Sequence, residues 1–225
     1  MIVYFLKKFN RLINYIAFKR DRLQLNNLMK RGLKVGKNVY IFENVEFDLG
    51  YPYLIEIGDN CRIAKNVLIL AHDATTFKDL GVTRIAPVKI LEGSFIGQNA
   101  IILPGVTIGP RALVAAGSVV NRNIPEGKAA AGNPARPYGE YSEILKQQTM
   151  YAGEENIFDI KDFEEGVLSP QMVRETLAKH SVGFVHSVPK YDPFYINTNM
   201  EQIRKDAVRV FAKNFEHYKI HRKQD

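Results

Sequence analysis

Aliphatic residues return every six positions through the middle of this chain, at Ile90, Ile96, Ile102, Ile108, Val114 and Val120. Three positions after each come Gly93, Asn99, Gly105, Arg111, Gly117 and Asn123. A period of six is neither the 3.6 of an amphipathic helix nor the 2 of a half-buried strand, so it is read as a repeat before any local element is assigned. Each hexapeptide predicts one short strand and one corner, and three of them close a triangular turn of about eighteen residues. The aliphatic position points inward, where stacked turns form a continuous apolar column. The corner reverses the chain tightly and favours positive φ, open to Gly at no steric cost and to Asn more readily than to most residues. Small side chains recur one position later, at Ser94, Ala100, Val106, Ala112 and Ser118, where they pack beside the corner.

The same register runs backwards through the chain. Val35, Ile41 and Phe47 precede corners at Asn38, Asn44 and Gly50; Ile57, Ile63 and Ile69 precede Asn60, Asn66 and His72. Of these twelve corners ten are Asn or Gly, and the exceptions are His72 and Arg111. The phase breaks between Gly50 and Glu56 and again between Ala71 and Lys89, so those segments are expected to leave the coil as loops.

The flanks follow other rhythms. Ile2, Phe5, Leu6, Phe9, Leu12, Ile13 and Ile16 repeat at helical spacing, with Lys7, Lys8 and Arg11 mostly elsewhere on the wheel. Residues 1–32 are therefore a helical cap for the open end of the coil, which needs one, or a basic amphipathic segment for an anionic membrane surface. Beyond 137 the repeat is gone, and 138–225 reads as a mainly helical extension. Tyr141 to Met150 is helical in pattern; Ser169-Pro170 opens a helix to His180 with Ser as N-cap and Pro in the first turn. Thr198 and Glu201 form a capping-box pattern before a helix through about Phe215.

Composition narrows the function. The single cysteine, Cys61, excludes a disulfide framework, and its place at a small-residue position predicts a buried structural thiol. No apolar run approaches the ~18 residues of a membrane span, and no secretory signal is apparent, which places the protein in the cytoplasm, with contact to the inner membrane face through 1–32 as the variant. The net charge of +7 is concentrated before residue 32. Without an aromatic–basic stacking motif or a DNA-binding module, nucleic acid is set aside in favour of phosphate-bearing ligands or an anionic lipid surface.

The alternating I-G-x-N and P-G-V-T hexapeptides, closed by VAAGSVVNRNIPEGKAAAGNPAR, resemble the left-handed β-helix acyltransferases, in the branch of sugar and xenobiotic acetyltransferases. The likeness covers 33–137. It implies left-handed winding, a homotrimer with its sites between neighbouring coils, and acetyl-CoA as co-substrate with no metal. In that family the catalytic histidine stands where the chain leaves the coil, as His72 does, at the head of the loop 74–87. An imidazole with a pKa near 6.5 can take the proton of an attacking hydroxyl and return one to the departing thiolate. Asp73 is adjacent but points to the opposite face of a strand, and Asp48, Asp79 and Glu92 are the other carboxylates available to orient the ring. By position in the motifs, Gln98, Ala116, Asn121, Arg122 and Arg136 correspond to acetyl-CoA contacts, and the two arginines suit phosphate. A further arginine seen in some members is Gly139 here.

The chain also departs from the galactoside-type pattern, which follows the histidine with proline; His72-Asp73 looks more like the enzymes of capsular and O-antigen synthesis. The expected activity is O-acetylation of a sugar in bacterial surface-polysaccharide synthesis. N-acetylation of an amino-sugar nucleotide, acyl transfer from a carrier protein and a non-catalytic scaffold are the alternatives. The three-histidine zinc site of the β-helix carbonic anhydrases is excluded, because His72 is the only histidine within the repeat.

Overall fold

The computed structural model describes residues 19–152, 156–159, 166–180, 182, 184–186, 195–196, 201, 205 and 209. The chain divides into two compact units, Met1–Tyr141 with Pro193–Thr198, and Ser142–Asp192 with Asn199–Asp225.

The first unit is a parallel β-helix with three faces. Lys34–Val35, Ile55–Ile57, Val88–Ile90 and Thr107–Ile108 form the first face. Val39–Ile41, Arg62–Ile63, Phe95–Ile96, Leu113–Val114 and Lys128–Gly132 form the second. Glu46–Phe47, Leu68–Ile69, Ile101–Ile102 and Val119–Val120 form the third. The inward aliphatics from Ile63 to Val120 in this register are fully buried, as are Ser94, Ala100, Ala112 and Ser118 at 0–1% exposure. Cys61 belongs to this buried row; its Sγ lies 3.1 Å from the Leu91 carbonyl, and burial pushes the thiol up to about 11.

Register shows how the loops are inserted. In the regular coils partners are 18 residues apart, as in Lys89 with Thr107. The first coil pairs at 22, Lys34 with Glu56, and the second at 33, Ile55 with Val88. The surplus sits in the two phase breaks: a 3-10 turn at Pro52–Leu54, and an excursion from His72 to Pro87 that carries a short helix, Phe77–Leu80.

Nine of the twelve expected corners have positive φ, among them Arg111 at 52°. Asn38, Asn44, Asn60, Asn66 and Asn99 do so at 54–59°, and their amides form ladders up the edges, such as Asn66 Nδ2 to Asn99 Oδ1 at 3.0 Å. Gly50, His72 and Asn123 do not. At Gly50 and His72 the chain is leaving the coil and needs no tight reversal; at Asn123 the side-chain oxygen instead accepts from Thr107 N–H at 2.8 Å. A second set of glycines, unread in the sequence, answers a different need. At Gly97 a Cβ would lie 2.4 Å from the Ala116 nitrogen of the next coil.

At the start of the coil, residues 19–30 are helical. Leu25 and Leu28 are 5% and 2% exposed and join the same apolar cluster as the column. Asp21 accepts from Asn44 N–H at 3.2 Å. Residues 19–30 therefore cover the start of the coil, while the stretch Ile2–Ile16, on which the choice between cap and membrane-surface segment turns, lies outside the described residues. No helix among the described residues is long and apolar enough to cross a membrane. Tyr195–Ile196 adds an unforeseen antiparallel strand to the open edge of Val39–Ile41. At the other end Ala135–Glu140 folds back antiparallel on Lys128–Gly132.

In the second unit Pro170–His180 is helical, with Ser169 Oγ accepting from Met172 N–H at 3.3 Å as the N-cap. Ile157–Asp159 pairs in parallel with Phe184–His186. Of the expected helix after Thr198, positions 201, 205 and 209 are helical, and Glu201 pairs with Lys205 at 2.9 Å; Thr198 lies outside the described residues.

Two substitutions separate the packing demands. Ile102→Ala should cost about 2–5 kcal/mol in urea unfolding, because it opens a cavity in the column. Gly97→Ala, which removes no contact at all, should cost at least ~1–3 kcal/mol by forcing coils apart; an unchanged midpoint for Gly97→Ala would refute the close approach.

Candidate functional site

His72 begins a two-residue strand, His72–Asp73, that pairs antiparallel with Arg84–Ile85. It lies outside the left-handed region, so its presence is not explained as a tolerated corner residue. Its side chain is 37% exposed and its Nδ1 is hydrogen-bonded to Asp48 Oδ2.

Asp48 is the carboxylate that reaches the ring. Its side chain is fully buried. Oδ2 also accepts from Ala71 N–H at 2.9 Å, and Oδ1 accepts from Gly50 N–H at 2.9 Å and Tyr51 N–H at 3.1 Å. Burial alone would favour the neutral acid, but the bonds from His72, Ala71, Gly50 and Tyr51 outweigh it and hold the group below the usual carboxylate range. Asp48 is therefore ionised at neutral pH and accepts a hydrogen bond from Nδ1–H of His72, which leaves Nε2 outside that bond. Tyr51 stands beside the imidazole, ring centroids 5.5 Å apart.

The other carboxylates are engaged elsewhere. Asp73 accepts from Thr75 N–H at 2.9 Å, and that bond sets its lowered pKa. Glu92 accepts from Asn60 Nδ2 at 3.4 Å, and Asp79 lies exposed on the excursion helix.

The remaining sequence-derived candidates fall into two groups. Gln98 and Ala116 occupy neighbouring coils at the corner between the second and third faces, where Gln98 O accepts from Gly117 N–H at 2.8 Å. Asn121 and Arg136 meet after the third face, Nη1 to Oδ1 at 3.3 Å, with Arg136 also on the Ala135 carbonyl at 2.7 Å. Arg122 is exposed beside Asn121. This second group shares the edge from which His72 emerges, two coils further along. Among the described residues no three His, Cys, Asp or Glu side chains gather as a metal site.

With this geometry in place the relationships are clear. Residues 87–122 match the bacterial transferase hexapeptide family, six repeats. The chain is 39% identical over 104 residues to the putative acetyltransferase YvoF of Bacillus subtilis, covering 46% of this chain and 58% of that protein. It is 33% identical over 114 residues to galactoside O-acetyltransferase of Escherichia coli, covering 49% and 55%. A maltose O-acetyltransferase structure from Clostridium difficile superposes with a TM-score of 0.43 at 31% identity, covering 50% of this chain and 72% of that one. The coil of this chain is thus similar in sequence to the hexapeptide-repeat transferases. It spans a little over half the length of the curated relatives it matches.

Asp48 lends itself to a pH test. A depressed native pKa gives stability that is present above the unfolded value near 3.8 and lost as pH falls through the lower native one. Unfolding free energy should therefore drop below pH 3.8 in the wild type, and Asp48→Asn should flatten that acid limb while costing about 1–3 kcal/mol at neutral pH. An identical acid limb in both proteins would remove Asp48 as the stabilised anion.

Proposed function

We propose that this protein transfers an acetyl group from acetyl-CoA to a hydroxyl of a sugar, with His72 as general base. The observation that carries the proposal is the Asp48–His72 pair: a buried, ionised carboxylate holds one nitrogen of a partly exposed ring and leaves the other outside that bond. The names of the galactoside-acetylating and putative acetyltransferase relatives support the same chemistry. Acetyl-CoA supplies an activated thioester. Nε2 of His72 takes the acceptor proton as the oxygen attacks, and the imidazolium, stabilised by Asp48, returns a proton to the thiolate.

Arg122 and Arg136 suit the donor's phosphates, with Asn121 orienting Arg136, and Gln98 and Ala116 border its path along the coil. The left-handed winding of the family and a cytoplasmic place in surface-polysaccharide synthesis belong to this reading; the His72-Asp73 sequence supports the latter.

The homotrimer is likewise a proposal, supported by the outward side chains. In register, the first face presents Lys34, Glu56, Lys89 and Thr107. The third presents Glu46, Leu68, Ile101 and Val119, and the second Tyr40, Arg62, Phe95 and Leu113. The excursion exposes Phe77, Leu80, Val82 and Ile85 at 47–68%. Apolar outer faces and an apolar loop suit contact with other copies of the chain, whereas the first face suits water.

His72→Ala should lower the rate of acetyl-CoA thiol release on a sugar acceptor by ~10²–10⁴ while calorimetric acetyl-CoA binding persists. Arg136→Ala or Arg122→Ala should raise the acetyl-CoA KM about tenfold at nearly constant kcat. Full turnover in His72→Ala would end the mechanism. Light scattering should give three times the chain mass of 25.6 kDa, and Ile101→Glu should shift it toward the single-chain value; a wild-type monomer would overturn the assembly.

A further inference from the structure

The shorter insertion builds a second feature against His72. Tyr51 lies beside the imidazole at a 52° interplanar angle, and Tyr53 meets Tyr51 edge-on at 6.2 Å while remaining 55% exposed. Arg31, at the end of the capping helix, donates from Nη2 to the Leu49 carbonyl at 2.8 Å, one residue from the carboxylate that holds the base. Helix end and insertion are pressed together: Gly32 has φ +103°, and a Cβ there would sit 2.7 Å from Tyr53 Cβ. An arginine, two tyrosines and the base thus form one continuous stretch of surface.

Its position along the coil decides its role. Leu70 N–H bonds to Ile102 O and Leu103 N–H to Val120 O, so the edge runs from His72 toward Asn121, Arg122 and Arg136. Asp48 N–H bonds to Ile69 O, which puts the insertion in the coil before His72. The base stands between the two. If the donor occupies the later coils, the hydroxyl must reach Nε2 from the earlier side, where the tyrosines and Arg31 are.

We infer that Arg31, Tyr51 and Tyr53 form the acceptor site, and that the acceptor is a sugar bearing an anionic group, a carboxylate or a phosphate. The apolar face of a sugar ring packs on a rigid aromatic at low entropic cost. The guanidinium fork matches carboxylate or phosphate oxygens bidentately, and the Leu49 bond fixes the orientation of that fork. The capping helix then has a second task, choosing the acceptor. This inference rests on the acetyl-transfer reading above for the direction of approach.

The test uses the full chain with glucose, glucuronate and glucose 1-phosphate, each measured by calorimetry and by acetyl-CoA thiol release. At least one anionic sugar should bind about tenfold more tightly than glucose, and which one it is separates carboxylate from phosphate recognition. Arg31→Gln should abolish that preference without changing glucose affinity, Arg31→Lys should retain part of it, and Tyr53→Ala should weaken all three. No anion preference, or one that survives Arg31→Gln, overturns the inference. Arg31-dependent binding without any thiol release would keep this site and overturn acetyl transfer. Thiol release that is indifferent to Arg31→Gln and Tyr53→Ala would do the reverse.

Discussion

Successive coils approach to backbone hydrogen-bonding distance, and every other feature is fitted around that approach. Parallel ladders set the spacing between layers at about 4.8 Å. Gly97 shows how little room is left at the edges, since even a methyl group would overlap the Ala116 nitrogen above it. Inside, the same spacing stacks Ile90 on Ile108 and Ile102 on Val120 in strict register. A residue added within a strand would throw this column out of phase, whereas a residue added at a corner leaves it intact. Insertions are therefore confined to corners.

Chemistry enters through that allowance. Both departures from the eighteen-residue rhythm follow a third-face strand, the first after Glu46–Phe47 and the second after Leu68–Ile69. These strands are paired, Phe47 against Ile69, so the two excursions leave the coil at one edge and one above the other. Asp48 is thereby placed directly against Ala71 and His72, residues 23 and 24 positions away in the chain. The insertion that begins at Gly50 also turns two backbone N–H groups toward the carboxylate. A buried anion is costly unless its lone pairs are satisfied, and the loop that leaves the coil is what satisfies them.

Much of the coil was legible in the sequence, because position in a hexapeptide determines both burial and backbone conformation. The aliphatic column, the small-residue row with Cys61, nine left-handed corners and the two loops all follow from periodicity. The site was only half legible. His72 stood out by type, but its register suggested a corner, whereas the chain there is already extended and pairing with Ile85. Asp48 could not be chosen over Asp73, Asp79 or Glu92, since the choice depends on which coil lies against which, and that depends on loop lengths. Tyr195–Ile196 was not legible at all; a two-residue edge strand has too short a pattern to announce itself.

The choice of Asp48 over Asp73 has a physical consequence for the imidazole of His72. Asp73 is half-buried and bonded to Thr75 N–H within the excursion itself, so a ring held by it would be held by a more solvated group. The Asp48 side chain has no solvent exposure and three backbone donors that fix both oxygens. The remaining direction on Oδ2 points at Nδ1, which selects the tautomer with its proton there and its lone pair on Nε2. The edge that makes insertion harmless to the column is thus the same edge that holds the imidazole of His72 against a fixed carboxylate.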